Sequence, residues 1–443
     1  MKLVFFEMRP PTNYQVHICR RTSLGRFAAS LIIAAVLLIV PATTQAFSVL
    51  AHQALVDQAW NKTLLPLVRQ RFPNATEQDL AEALSYARGG SHLPDLGYFP
   101  LGNRLFTDML HYVRAGDFVS GLIAEAGSAQ EYAFALGVLA HYEADTIGHP
   151  LATNLAVPIL YPDLAAQYGD SVTYADAPSA HLQTEFRFDV LQVAHRGEVP
   201  DLFEHSMKFQ VPREFLDRVF RENYGLGLDE LFDNYDVAIL TYRWGFRLLI
   251  DETTGIAWRL YQSDIEALEP GMTHANFLHA MSRDNFEQQF GKAFLEPGYF
   301  VRFVGFVGNL LPNIGPLARL PYKPLPENVR QLYFGAFHKA SGHYQQDLTE
   351  AAKKPPRFPN LILDTGTPDR PGSYQPADKA YAELLRLHAK DHFARVPKPL
   401  ADDMLRHFHD RDAALAFEDD TKEREETLNA LTVLEAKQRT SQP

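Results

Sequence analysis

The feature that most restricts how this chain can fold is the run His141-Tyr-Glu-Ala-Asp145-Thr-Ile-Gly-His149. Three side chains able to ligate a metal recur at i, i+4 and i+8. On a helix each four-residue step turns about 400°, so successive side chains drift by only about 40° and share one face. The preceding AQEYAFALGVLA supplies good helix formers with apolar residues at helical spacing, so one helix is expected over residues 129–149. Pro150 should stop it just past His149, because an interior proline loses a helical hydrogen bond. A second row, His181-Leu-Gln-Thr-Glu185 with Asp189 one step on, repeats the spacing. One such row is common on charged helix surfaces. Two rows, with further His and Asp upstream, point to a metal centre.

The first 46 residues have a different character. Arg20, Arg21 and Arg26 precede an apolar run at 27–40, and PATTQA follows, ending at Ala46. A charged start, an apolar middle and small residues at a cleavage point are the layout of a secretory signal peptide. The run is too short to favour a membrane anchor, so an exported, secreted or periplasmic protein is expected, with a mature chain beginning at Phe47. Residues 1–46 hold five of the 42 basic and one of the 54 acidic side chains, so removing them leaves a formal charge of −16. So acidic a chain argues against general nucleic-acid binding. The single cysteine, Cys19, lies in the expected signal, so the mature chain has no disulfide.

From Phe47 onward the reading is almost entirely helical, and strand-like alternation is nearly absent; the expected class is all-α. Ala51–Leu67 is periodic, with Leu55, Ala59 and Trp60 facing inward. Thr76–Ala87 opens with an acidic first turn, and 89–103, GGSHLPDLGYFPLGN, reads as a Gly/Pro loop carrying His92 and Asp95. Leu105–Val113 resumes a helix with Asp108 and His111. A long Pro- and Gly-punctuated connection then leads to a helix over His181–Val193. Four divisions are expected: a signal at 1–46, a catalytic domain at 47–200, a helical C-terminal region at 201–350, and a linker with a charged helical tail at 351–443. Within them, 294–321 reads as buried core or an interdomain seam, with an interfacial lipid-facing surface as the alternative, and 351–378 as a linker or surface-wrapping segment.

The candidate ligands, in order, are His52, Asp95, His111, His141, Asp145, His149, His181 and Glu185. With no thiolate available, imidazole and carboxylate donors suit zinc, with manganese or iron as alternatives. Eight donors exceed what one tetrahedral ion needs. Two or three clustered ions would use them, with Asp145 as a shared carboxylate, and such clusters suit hydrolysis of phosphate esters. Taken singly, His52 reads as a core histidine, Asp95 as a turn or helix-cap residue, and His111 as a partner of Asp108 or Tyr112. Their ordered occurrence together carries the reading. His92, Asp108, Glu143 and Asp189 are expected to be supporting or structural.

The order His52, PDLGY with Asp95, DMLHY with His111, LGVLAHYEADTIGHP and HLQTE resembles the zinc-dependent phospholipase C family. Its superfamily also holds zinc-dependent single-strand-specific nucleases. The resemblance covers residues 47–190 and implies an all-helical domain with a three-zinc cleft, here followed by a helical C-terminal extension. It implies His111, His141, Asp145 and Asp95 around one zinc, and His149, His181 and Glu185 around a second. His52, Asp145 and the amine and carbonyl of a mature N-terminal Phe47 would hold the third, where the family usually has Trp. Asp95 would also be the general base. Glu185 stands where the phospholipases have Glu and the nucleases usually Asp. The function expected from the resemblance is an exported zinc phosphodiesterase acting on phospholipid, with peripheral membrane contact. The alternatives are a nuclease or nucleotidase on the same centre, and a non-catalytic zinc-binding, membrane-interacting protein. Nothing in the sequence speaks to oligomeric state.

Overall fold

The computed structural model describes residues 49–195, 209–268, 270–274, 277, 323–353 and 356–440. The expected signal peptide, Phe47 and the 294–321 run lie outside the described residues. All described residues fall in one compact unit.

The protein is all-α. Its longer helices are α1 (Val49–Ala59), α2 (Glu77–His92), α3 (Arg104–Tyr112), α4 (Ala115–Glu125), α5 (Ala129–Gly148), α6 (Pro178–Ala194), α7 (Arg213–Tyr224), α8 (Tyr235–Leu268, kinked at Tyr261), α9 (Glu327–Ala351), α10 (Gln375–Ala389), α11 (Lys398–His407) and α12 (Thr421–Thr440). Among the described residues the only strands are two short ones, β1 (Leu361–Ile362) and β2 (Thr367–Pro368), paired antiparallel. Local chemistry sets the starts of the site helices. Thr76 Oγ1 accepts from Asp79 N while Asp79 accepts from Thr76 N, a reciprocal cap on α2. Asn103 accepts from Phe106 N to cap α3, and Ser128 from Glu131 N to cap α5. Pro178 opens α6, at the one helical turn where a missing N–H costs nothing.

Helix α5 is the axis of the molecule. Residues 132–145 are all buried, as a helix surrounded by other elements requires. α1, α2, α4 and α9 pack around it. α2 crosses it at backbone contact: a Cβ on Gly90 would lie 2.0 Å from the Phe134 carbonyl oxygen, and one on Gly137 1.9 Å from that of Ala87. This corrects the reading of residue 89 onward as a loop. Gly89 and Gly90 sit inside α2 because close approach requires them, and the chain leaves the helix only after His92, in a 3-10 turn over Leu93–Tyr98.

Pro150 likewise does not stop the helical course. The chain widens into a π-helical turn, His149–Thr153, in which Asn154 N donates to the His149 carbonyl five residues back. Pro150 occupies the start of that turn, where no N–H is needed. Two short helices, Asn154–Leu160 and Pro162–Tyr168, then fill much of the connection to α6.

The C-terminal elements close over this frame. Tyr344 OH of α9 donates to the Leu136 carbonyl (2.9 Å), and His388 Nε2 of α10 to that of Tyr224 (2.8 Å). The segment read as a linker or surface wrap in fact enters the core: Ile362, Leu363, Asp364 and Tyr374 are all buried. No described helix is long and apolar enough to cross a membrane.

Candidate metal centre

α1 supplies His52, the 3-10 turn after α2 supplies Asp95, and α3 supplies His111. α5 supplies His141 and Asp145, the π turn His149, and α6 both His181 and Glu185. All eight are buried, none more than 4% exposed, and all converge. Asp145 is the hub. Its Oδ1 lies 2.8 Å from His52 Nε2 and 3.3 Å from His149 Nε2, and its Oδ2 3.0 Å from His141 Nε2 and 3.4 Å from His111 Nε2. Three sets hold ligand atoms within 4.8 Å of one another: His52, His141 and Asp145; Asp95, His111 and His141; His149, His181 and Glu185. The third set is the expected one, while His141 stands in both of the others. Phe47, the remaining expected ligand, lies outside the described residues.

The hydrogen bonding orients these rings toward a cation. His141 Nδ1 donates to the Ser91 carbonyl (3.0 Å) and His111 Nδ1 to that of Thr107 (2.9 Å). A carbonyl only accepts, so both protons are fixed on Nδ1 and a neutral ring keeps its lone pair on Nε2. Those two Nε2 atoms face each other at 3.3 Å. Lone pair against lone pair is tenable only with a positive charge between. Burial lowers the His111 pKa, yet Asp145 and Asp95 outweigh it and carry it well above the ordinary value, the same demand seen electrostatically. Neither Asp95 oxygen accepts a hydrogen bond, although the side chain is fully buried. The nearest imidazole nitrogens are His111 Nε2 at 3.5 Å and His52 Nδ1 at 3.9 Å. A buried carboxylate without donors is costly unless a cation compensates it.

The remaining shifts follow from the crowding. Burial pushes the Asp145 pKa up, but His141, His149 and His52 hold it well below the carboxylate range. Burial, reinforced by His149, keeps His181 well below the ordinary histidine value, and burial with His141 lowers His52 despite Asp145. Burial likewise lowers the His149 pKa, but Asp145 outweighs it and raises it. Imidazole nitrogens and carboxylate oxygens crowded into one buried cluster form the donor set that zinc takes, so the residues fit the ion.

Residues 51–234 match the family model of zinc-dependent phospholipase C. That stretch belongs to the zinc-dependent phospholipase C family. The match takes in all eight described ligand candidates. No curated protein and no solved structure matches the chain significantly.

The supporting residues fall outside the donor cluster. His92 Nε2 donates to Gln53 Oε1 (3.0 Å) among Phe209, Tyr242 and Phe246. Asp189 accepts from Leu50 N at the start of α1 (2.9 Å). Asp108 pairs with Arg104 at 2.7 Å, and Glu143 lines a groove against His343 and Asp347. One acidic residue at the centre was not foreseen. Asp364, after β1, places Oδ1 3.9 Å from His149 Nε2. It lies in a Pro-rich stretch far from the ligand rows; its only sequence signal is an apolar Leu-Ile-Leu run closed by Asp-Thr-Gly.

Proposed function

We propose that this protein is a zinc-dependent phosphoric diester hydrolase of the phospholipase C type, acting on phospholipid. The observation that carries it is the convergence of eight buried N and O donors, within a stretch of this family, into three sets around Asp145. The chemistry that clustered zinc supplies when bound is Lewis-acid activation of water and neutralisation of phosphoryl charge. Asp145 ties the sets together. Asp95, with no hydrogen bond on either oxygen, is available to accept a proton from an attacking water as general base. Ser91 and Thr107 hold His141 and His111 through their carbonyls. Arg104 lies over the rings of Tyr98 (4.6 Å) and Tyr174 (5.6 Å), which themselves pack on His111 and His181. A half-buried guanidinium there is a place where an anionic ester meets positive charge. Export through residues 1–46, the part of Phe47, and peripheral contact with a lipid surface belong to the same proposal, resting on the N-terminal composition and the family.

The test is metal analysis of the chain starting at Phe47, with hydrolysis of phosphatidylcholine vesicles and of single-stranded DNA. Release of phosphocholine that stops with chelator and returns with zinc supports the proposal. Cleavage of DNA alone would move the protein to the nuclease branch. Bound zinc with no hydrolysis of either substrate would make it a non-catalytic zinc protein.

A further inference from the structure

The family match ends at residue 234, yet a carboxylate 130 residues further on faces the centre. Asp364 is buried, and one of its oxygens is saturated: Oδ2 accepts from Tyr112 OH (2.9 Å) and, in a short contact, from Tyr374 OH. Its other oxygen is the one turned to His149 Nε2. The backbone around it is pinned to the ligand-bearing elements. Leu363 N donates to the His111 carbonyl (3.1 Å), Asn154 Nδ2 to the Asp364 carbonyl (2.9 Å), and Tyr142 OH to that of Pro359 (2.8 Å). Gly366, at φ +64°, seats the turn on α5, where a Cβ would meet the Thr146 carbonyl oxygen at 2.5 Å. The hairpin thus touches α3, α5 and the π turn, the carriers of His111, His141, Asp145 and His149.

His149 is the ring with two opposed sides. Its Nδ1 lies 3.0 Å from His181 Nε2 and 3.5 Å from Glu185 Oε1, whereas its Nε2 faces Asp145 and Asp364. A ligating histidine needs an acceptor for its other N–H to fix tautomer and orientation. Asp145 is shared among four imidazoles, while Asp364 faces only this one of the eight candidate ligands. We propose that Asp364 is a positioning residue of the metal centre: its Oδ1, 3.9 Å from His149 Nε2 and beyond the nearer Asp145 Oδ1 at 3.3 Å, holds that edge of the ring by charge so that Nδ1 is presented to the ion shared with His181 and Glu185. The C-terminal region, outside the family match, thereby completes one metal site. This inference rests on the zinc reading above.

The experiment uses the full processed chain, as wild type and Asp364→Asn, with zinc affinity measured against a chromophoric chelator and ¹¹³Cd resonances recorded after cadmium loading. The expected result is a 10–100-fold weaker affinity at one site, in line with the usual effect of losing such a partner, and a shift of one cadmium resonance while the others stay. A merely structural role would move all resonances or none. A folded Asp364→Asn protein with wild-type affinity and an unchanged cadmium spectrum overturns the inference and leaves the zinc reading intact. A wild type that binds neither zinc nor cadmium defeats both. If Asp364→Asn does not fold, Tyr374→Phe removes one donor from the same carboxylate. It should displace the same single resonance by less, and an unmoved spectrum there overturns the inference.

Discussion

Four imidazoles lie within 3.4 Å of the two Asp145 oxygens, and no other carboxylate in the centre faces so many. Replacing it with Asn keeps the shape but removes the negative charge that these four imidazoles face. Losing a supporting partner of a metal ligand costs about 10–100-fold, so a shared ligand should cost more. Asp145→Asn is therefore expected to drop at least one zinc per chain and to lower turnover more than about 100-fold, read by metal analysis and an esterase assay on the same sample. Wild-type zinc content with wild-type turnover would take Asp145 out of the centre. This residue was legible in the sequence because its partners recur at helical spacing on one face. Asp364 was not, because no periodicity links a hairpin aspartate to helices far upstream; only the folded chain brings them together.

At the scale of elements, the sequence misled where one residue type serves two purposes. Gly89 and Gly90 read as a loop signal, but in α2, as at Gly137 in the correctly read α5, it is the absence of a Cβ that matters, and only the crossing partner reveals that. Gly137→Ala would drive a methyl into the Ala87 carbonyl at 1.9 Å, with backbone on both sides and no flexible end to yield. Overpacking typically costs about 1–3 kcal/mol, and this site should reach the upper end or fail to fold. Gly335→Ala on α9, where a Cβ meets nothing within 4 Å, is the control and should stabilise by about 0.5–1 kcal/mol through helix propensity. Equal melting temperatures for the two variants would mean that the crossing is looser than described. A second contact ties α10 to α11. The His407 ring stacks on Tyr381 (3.9 Å, 12°), with Nδ1 2.8 Å from Asp369 and Nε2 3.2 Å from Asp378. Burial lowers its pKa, but the two carboxylates outweigh this and raise it above the ordinary 6.5. A histidine raised on folding stabilises fully below its unfolded value and loses that contribution as pH climbs through the folded one. Urea midpoints of the wild type should thus fall from pH 6 to 8, and those of His407→Gln should fall less. Parallel pH profiles would sink the assignment.

At the scale of the whole molecule, residues 351–443 are expected to be a linker and a charged helical tail, and within them α10, α11 and α12 place Tyr381, Leu384, Leu385, Leu400, Met404 and Leu431 in the core at 1% exposure or less. Burying each such side chain is worth about 1.5–3 kcal/mol. Six of them amount to roughly 10 kcal/mol even after allowing for a compact unfolded state, comparable to the entire net stability of a typical domain, about 5–15 kcal/mol. A chain ending at Lys353 would lose them all, expose the surfaces they cover on α3 and α7, and lose Asp364 and Tyr374 besides. It is expected to be insoluble or to bind a hydrophobic dye without a cooperative transition, and to hold no stoichiometric zinc. A shorter cut separates folding from the site. A chain ending at Glu418 loses only α12, keeps the hairpin with Asp364, and should melt several degrees lower with its zinc content unchanged. A soluble, cooperatively melting chain ending at Lys353 with full zinc would show that the ligand helices stand without residues 354–443.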